Sequence, residues 1–136
     1  MMNITVSVIV KASLEQAWKV WLTPEHIKQW NFASEDWECP SASVDLRIGG
    51  QLASRMQAKD GSFGFDLVCT FTQIVEYEML EYEMEDGRVV EVKFREIDGG
   101  IEIIETFDAE DSNPIEMQQA GWQSILNNYK RYIENS

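Results

Sequence analysis

Basic residues are scarce in this chain, and their scarcity excludes whole classes of partner. There are 11 basic residues against 24 acidic ones, which gives a formal net charge of −13. Nucleic acids and anionic membranes are polyanions, so we expect neither to be a partner. The acidity by itself usually serves solubility and points to no specific partner.

Cysteine and histidine are too few for the common metal motifs. Cys39 lies in a proline-containing stretch that we interpret as a loop, and Cys69 lies within an apolar strand pattern. Because no CxxC pair or His/Cys cluster is present, we expect no metal site and no cofactor. His26 lacks any GxSxG or HExxH motif around it, and we interpret it as an ordinary surface histidine.

Long apolar runs are also missing. No stretch approaches the length that crosses a bilayer, and the N-terminus does not have the basic and apolar segments of a signal peptide. We therefore expect a reduced, cytoplasmic protein without a membrane partner. The 136 residues, of which 44% are hydrophobic and 26% charged, predict a single globular domain, 1–136.

The first part of the chain predicts one strand and two short helices. Alternating apolar residues favour a strand over 3–11. Ser13, with Gln16 three residues later, is typical of a capping box that opens a helix. Thr23 predicts the N-cap of a second helix, with Pro24 at its first position.

The middle of the chain predicts an antiparallel sheet. Residues 31–43 form the one irregular stretch, and from Val44 onward apolar and polar residues alternate through six strands separated by Asp-Gly and Gly-Gly turns. The first of these strands contains Val44, Leu46 and Ile48. Since one side of each strand is apolar and the other is polar or acidic, the sheet has one buried and one wet face.

Residues 113–136 predict a long amphipathic helix with Asn113 as N-cap, Pro114 at the first helical position and Glu116 completing a capping box. Gln118 falls in the middle of its inner stripe. The C-terminal half of that stripe is wholly apolar, whereas the N-terminal half is polar and small. The apolar stripe residues are Ile115, Trp122, Ile125, Leu126, Tyr129 and Ile133.

One strand, two short helices, six strands and a long helix make an α+β layout in which the helix covers the apolar face of the sheet. Several short motifs occur along it in order: Ala12-Ser13 with Ala17-Trp18 and Trp21, Thr23-Pro24-Glu25 with Trp30, the run from Asp45 to Gly50, Asp60-Gly61, and Gly121-Trp122. In these motifs the chain resembles the activator of heat shock protein 90 ATPase homologue-like (C-terminal domain) family. That family lies within the START-like and polyketide cyclase (SRPBCC) helix-grip superfamily.

The resemblance implies a helix-grip fold. In that fold a seven-stranded curved antiparallel sheet wraps around the long C-terminal helix, with two short helices after the first strand and an apolar cavity between sheet and helix. It implies no particular reaction. Candidate ligand-binding residues for such a cavity are Trp30, Phe32, Trp37, Phe65, Glu105, Met117, Gln118 and Trp122.

Glu105 is the one candidate for catalysis. If Ile103 and Phe107 face inward, strict alternation along the strand points Glu105 inward with them. A carboxyl group in an apolar cavity has a raised pKa and can serve as a general acid or base. Because Ile104 would then face outward, a bulge that turns Glu105 to solvent is the alternative.

Gln118 also has two interpretations, because a buried amide must find a hydrogen-bonding partner. It either binds a ligand in the cavity or bonds a nearby backbone group. Trp30, Phe32 and Trp37 lie near the irregular stretch and predict a cavity mouth or a partner surface.

Three functions are compatible with these features. The first is non-enzymatic binding of a small hydrophobic or amphipathic ligand. The second is a co-chaperone-like interaction module, with Glu81, Glu83 and Glu85 as a docking face for a basic partner. The third is a cyclase or hydrolase that uses Glu105. An exposed patch around Trp37 would favour a homodimer.

Overall fold

The computed structural model describes residues 2–135, in which it has seven strands and three helices. The elements are β1 (Asn3–Val10), α1 (Leu14–Leu22), α2 (Pro24–Trp30), β2 (Trp37–Val44), β3 (Gln51–Ala58), β4 (Gly64–Val75), β5 (Met79–Met84), β6 (Val89–Ile97), β7 (Gly100–Asp108) and α3 (Ile115–Glu134). This confirms the predicted α+β order. Within the described residues, no helix combines the length and the apolar character that a membrane crossing requires.

The seven strands form one antiparallel sheet in the order β1-β7-β6-β5-β4-β3-β2. Strands β2 to β7 are therefore consecutive hairpin neighbours, and β1 pairs with β7 at the opposite edge from β2. The predicted turns at Gly87 and Gly99 have φ values of 91° and 88°, which glycine adopts without strain. The sheet curls around α3, as the helix-grip fold requires.

The first strand after the helices begins earlier than predicted. Residues 37–44 form β2, so the prediction that 31–43 is irregular was wrong for its second half. Cys39 is correspondingly buried within a strand and not placed in a loop. The sequence pattern did not predict this strand because β2 lies at the edge of the sheet. An edge strand tolerates Pro40 and polar residues that a central strand excludes.

The predicted strand through Leu46 and Ile48 is likewise wrong beyond Val44. Residues 45–50 form a turn, in which Gly50 N donates to Arg47 O at 2.9 Å. Leu46 and Ile48 are 45% and 60% exposed, so their alternation does not reflect burial. An alternating pattern only three residues deep does not distinguish a strand from a turn.

Helices α1 and α2 follow the predicted signals closely. Ser13 is the N-cap of α1, and its hydroxyl accepts a hydrogen bond from Gln16 N at 3.1 Å. Thr23 is the N-cap of α2 by position, although its hydroxyl donates to Lys19 O in the last turn of α1 and makes no capping bond to α2. The two helices bury their tryptophans against the sheet, which closes one end of its concave face.

The start of α3 differs from the prediction by one residue. Pro114, with ψ of 148°, occupies the N-cap and Ile115 is the first helical residue, so Asn113 is not the cap. The side chain of Asn113 instead donates to the Glu110 carboxylate, and the backbone carbonyl of Asn113 accepts from the Gln118 side chain. A loop contact therefore replaced the capping bond that the sequence pattern suggested.

The C-terminal half of α3 builds the core. Leu126 and Tyr129 are wholly buried, and Ile133 is 2% exposed. The Tyr129 hydroxyl donates to Ala17 O at 2.7 Å, so the one polar atom of that side chain is satisfied inside the core. This half of the helix fixes α1 against the sheet.

Candidate functional site

A cavity of about 490 Å³ lies between the N-terminal half of α3 and the inner face of the sheet. Its volume falls within the range of small-molecule sites in proteins. The walls come from α1, α2, β3 to β7, α3 and the loop before α3. The lining residues are Trp21, Ile27, Trp30, Asn31, Leu52, Ser54, Met56, Phe65, Leu67, Cys69, Tyr82, Met84, Arg88, Val90, Glu105, Glu110, Asn113, Met117, Gln118, Gly121, Trp122 and Ile125.

Strand periodicity explains the apolar walls. On β3, β4 and β5 every second side chain points to the same face of the sheet, which brings one line of residues from each strand to the cavity. These lines are Leu52, Ser54 and Met56; Phe65, Leu67 and Cys69; and Tyr82 and Met84. The alternation was visible in the sequence, but it did not reveal which of these inward residues are packed and which line a space.

The predicted ligand-binding residues divide into two groups. The structure places six of them on the cavity wall: Trp30, Phe65, Glu105, Met117, Gln118 and Trp122. Phe32 and Trp37 are not among the lining residues. Trp37 instead packs against Phe63 and Phe65, with ring centroids 6.1 Å and 6.2 Å away.

The cavity opens to solvent beside Phe65 and Met117. These two side chains line it and are nevertheless 42% and 60% exposed. Half-buried Trp37 packs against Phe65, and exposed Phe63 packs against Trp37. Apolar side chains therefore surround the entrance, which suits a ligand that sheds its hydration on entry.

Glu105 faces the interior. It pairs with Val6 of β1 and Val92 of β6, and neither pairing has a register shift, so the bulge alternative is wrong for β7. Its neighbours along the strand, Ile103 and Phe107, are buried, and Glu105 itself is only 6% exposed. Strict alternation therefore forces a carboxyl group onto the apolar face of the sheet.

The carboxyl group of Glu105 has no hydrogen-bond donor among the described residues of the protein. Yet none of the described side-chain oxygens is both fully enclosed and unpartnered, so the Glu105 oxygens must be accessible from the cavity. Burial without a partner raises the pKa of Glu105 from 4.5 to about 8. At neutral pH the group is mainly a neutral carboxylic acid.

Tyr82 and Cys69 are the titratable groups that share the inner face with Glu105. Burial raises the pKa of Cys69 to about 12, and the positive charge of Arg88, which lowers it, is opposed by the negative charges of Asp86, Glu85 and Glu105. Burial likewise raises the pKa of Tyr82, and the charge of Glu105 adds to it. Both groups are therefore neutral at physiological pH, and neither offers Glu105 a counterion.

Gln118 lines the cavity, but its amide is used by the protein. Its carbonyl oxygen accepts from Glu110 N at 2.9 Å, and its amide nitrogen donates to Glu110 O at 3.1 Å and Asn113 O at 2.8 Å. Of the two interpretations, the structural one is therefore correct. Gln118 anchors the loop that forms part of the wall.

Among residues 2–135, Arg88 is the one cation on the cavity wall, and sequence reasoning missed it. Its side chain is 17% exposed, and Nε donates to the Asp86 carboxylate at 2.7 Å, so the guanidinium is already paired. It follows the Asp86-Gly87 turn, where a charged residue ordinarily points to solvent. No local sequence signal indicated that this arginine lies along the cavity.

His26 is not a plain surface histidine. Its Nδ1 lies 2.6 Å from the hydroxyl of Tyr132, which fixes α2 against α3. It is not among the lining residues of the cavity. Within residues 2–135 no group of three His, Cys, Asp or Glu side chains is placed to hold a metal ion.

The acidic face of β5 is only partly free. Glu83 and Glu85 are exposed, whereas Glu81 is half-buried and accepts a hydrogen bond from Thr72 at 2.8 Å. Glu81 also lies opposite Glu91 in the β5–β6 pairing, which concentrates negative charge on the outer face. The predicted wet, acidic side of the sheet is therefore present.

Comparison with known proteins gives a family match over most of the chain. The family described as Activator of Hsp90 ATPase homolog 1-like protein matches residues 11–134. No curated protein matches the chain.

Solved structures give the same relationship. The AHSA1-like protein of Aeromonas hydrophila is 45% identical, with a TM-score of 0.92 over 98% of this chain and 93% of its own. A protein of Cytophaga hutchinsonii is 44% identical, with a TM-score of 0.85 over 98% of this chain and 92% of its own. A protein of Nitrosomonas europaea, 14% identical, has a TM-score of 0.84 over 98% of this chain and 95% of its own, which shows the shared fold alone.

Proposed function

The chain belongs to the family of Activator of Hsp90 ATPase homolog 1-like proteins, and from that premise we propose that it binds a small, largely apolar molecule without transforming it. The observation that supports this proposal is the cavity of about 490 Å³ under the N-terminal half of α3. Its wall is apolar and aromatic except for a few placed polar groups, which is the usual composition of a ligand site.

Gly121 supports the same proposal. It lines the cavity in the middle of α3, and a Cβ built on it would meet no other atom within 4 Å. A glycine inside a helix costs about 0.5–1 kcal/mol relative to alanine. This cost falls at Gly121, the position where a larger side chain would occupy part of the cavity.

The test is binding of naphthylmethanol, a neutral bicyclic alcohol, to wild-type protein and to Gly121→Leu. We expect the probe to raise the melting temperature of the wild type, because a ligand that binds only the folded state stabilises it. Gly121→Leu should fold and lose this shift, since leucine fills the space above Trp122 and Ile125. Unchanged binding to Gly121→Leu would contradict the proposal.

Ala120→Leu is the matched control. Ala120 is exposed on the outer side of the same helical turn and is not part of the cavity wall. The variant adds the same side chain to the neighbouring position, so it should keep the full thermal shift. Loss of binding in both variants would mean that leucine disturbs the helix and does not block a cavity.

A co-chaperone role is the second candidate, and the family description favours it. The exposed carboxylates of Glu83 and Glu85 on the outer face of the sheet would be the docking surface for a basic patch. We expect the double variant Glu83→Lys/Glu85→Lys to weaken capture by an Hsp90-type chaperone and to lower any stimulation of its ATP hydrolysis. Absence of capture at concentrations up to about 50 μM, a weak-interaction limit, would exclude this role.

A cyclase or hydrolase role rests on Glu105, whose burial and raised pKa suit a general acid at neutral pH. In that case a ligand found in the cavity would be converted slowly by the wild type and not by Glu105→Gln. Mass spectrometry of the ligand recovered after incubation with each protein decides this. Recovery of unchanged ligand from both supports binding without reaction.

We place the protein in the reducing cytoplasm as part of the same proposal. Cys39 and Cys69 are both free and both buried, which fits a compartment that does not select for disulfides. Equal melting temperatures with and without a reducing agent would agree with this placement. A large loss of stability on reduction would contradict it.

A further inference from the structure

The feature that the proposed function leaves unexplained is the carboxyl group of Glu105. A buried carboxyl without a protein partner is costly, and natural structures rarely keep one without a reason. Here the group is 6% exposed, lies on the cavity wall and accepts from no donor within residues 2–135. The oxygens that remain accessible face the space that a ligand would occupy.

We propose that the cavity selects a small apolar molecule that carries one basic nitrogen, with Glu105 as its counterion. This inference rests on the proposed function, because it assumes that the cavity binds a ligand. It adds the chemical class of the polar group on that ligand, a protonated amine, and the residue that recognises it.

The surroundings of Glu105 favour a cation over an anion. On its own row of the sheet it is flanked by Val6 and Val92, and nothing there neutralises a negative charge. Arg88, the one cation that the described part of the chain brings to the wall, is already paired with Asp86. An anionic ligand would therefore meet an unpaired carboxyl group, whereas the charge of the Arg88 guanidinium is already balanced by Asp86.

Other groups around Glu105 do not compete for the amine. From β4 and β5 it is faced by Cys69 and Tyr82, which stay neutral, and α3 presents Gln118, whose amide is bonded to the loop before the helix. The loop adds Glu110, a second carboxylate on the wall, but unlike Glu105 it already accepts a hydrogen bond from the side chain of Asn113. The net charge of −13 further attracts cations to the protein.

Binding should be coupled to proton release. The free protein holds Glu105 mainly protonated at pH 7, since its pKa lies at about 8. An ammonium ion in the cavity stabilises the carboxylate, so the carboxyl proton passes to the buffer as the ion pair forms. Close to one proton per ligand is expected, and affinity should rise with pH until Glu105 is ionised without the ligand.

The experiment compares three probes on one bicyclic frame by calorimetry at pH 7: naphthylmethylamine, naphthylmethanol and naphthoic acid. We expect the amine to bind about 10- to 100-fold more tightly than the alcohol, and the acid to bind worst. The heat of amine binding should vary with the ionisation enthalpy of the buffer, because a proton is released. The heat of alcohol binding should not.

Glu105→Gln is the decisive variant, since glutamine keeps the shape and removes the charge. We expect it to bind the amine and the alcohol about equally and to lose the buffer dependence, and any measurable binding of the alcohol shows that the cavity is still present. Glu102→Gln removes one charge from the outward side of the same strand. This control should leave the preference for the amine unchanged.

Each remaining outcome overturns a stated part of the account. Equal affinity for amine and alcohol in the wild type, tightest binding of the acid, or an amine preference that survives Glu105→Gln would refute the amine proposal and leave apolar ligand binding intact. If none of the three probes binds the wild type, the proposed function itself is contradicted.

Discussion

The two halves of α3 face the same sheet, but one half is packed against it as core and the other half leaves a cavity. Around Leu126, Tyr129 and Ile133 the concave face is filled, and aromatic rings from α1 and α2 close on the Tyr129 ring at centroid distances of about 5 Å. Around Gly121 and Gln118 the same face is left open as a cavity. One helix therefore carries both the core and the candidate site.

The contrast explains how a small domain holds a cavity of this size. The filled end supplies the packing that stabilises the fold, since fully buried apolar side chains contribute most per residue. The open end then tolerates a glycine, a bonded glutamine and a buried carboxyl group. We define the filled end as the core around Leu126, Tyr129 and Ile133, and the open end as the cavity wall around Glu105, Gln118 and Gly121.

The largest effect is expected from truncation at the filled end. Leu126→Ala should lower the free energy of unfolding by about 2–5 kcal/mol, because Leu126 is wholly buried and its removal leaves a hole. Urea unfolding followed by tryptophan fluorescence measures this. Met117→Ala at the open end is the control, and its loss should be well under about 1 kcal/mol since Met117 is 60% exposed.

The second effect concerns pH and Glu105. A carboxyl group whose pKa is raised by folding favours the native state below its unfolded pKa, and that stability is lost as pH rises from 4.5 to about 8. Glu105→Gln removes this dependence. Relative to that of the wild type, the free energy of unfolding of the variant should rise by about 2–4 kcal/mol between pH 5 and pH 8.

Urea unfolding at both pH values checks the prediction, with Glu102→Gln as the control for removal of one charge. Glu102 is paired with Arg95 on the outer face, so its variant should follow the pH profile of the wild type. A constant difference between Glu105→Gln and wild type at pH 5 and pH 8 would show that Glu105 is not desolvated in the folded protein.

The third effect tests the structural assignment of Gln118. Gln118→Met keeps the volume and removes three hydrogen bonds to the loop over residues 110–113, which should cost about 1–2 kcal/mol. Amide hydrogen exchange should speed up most at Glu110, whose N–H loses its acceptor. Unchanged stability together with lost probe binding would assign Gln118 to the ligand instead.

The smallest expected effect is a gain in stability from a substitution at the open end. Gly121→Ala should raise stability by about 0.5–1 kcal/mol, because alanine favours the helix and its Cβ enters unoccupied space. Thermal unfolding measures the gain. A loss of stability would mean that the backbone at Gly121 is packed more closely than the structure shows.

The sequence predicted the fold and part of this contrast. Alternation identified the inner faces of β3 to β7, and helical periodicity separated the apolar half of α3 from the polar half. It missed β2, whose edge position removes the apolar alternation, and it placed the start of α3 one residue early. Both errors lie where polar contacts and not burial decide the local structure.

The site was harder to predict than the fold. Alternation alone pointed Glu105 inward, but only the unbroken pairing of β7 with β1 and β6 excluded a bulge. Nothing in the sequence placed Arg88 on the wall or removed Phe32 and Trp37 from it. Such placements depend on how far apart the helix and the sheet lie, and that distance has no local sequence signal.

The most direct test of ligand binding at the open end is the set of nuclear Overhauser contacts between naphthylmethanol and the protein in solution. Binding in the cavity predicts contacts from the naphthyl protons to Leu67, Met84 and Ile125, which line it and lie on three different elements. Contacts confined to Trp37 and Phe63, which do not line the cavity, would place the probe elsewhere and contradict a functional cavity.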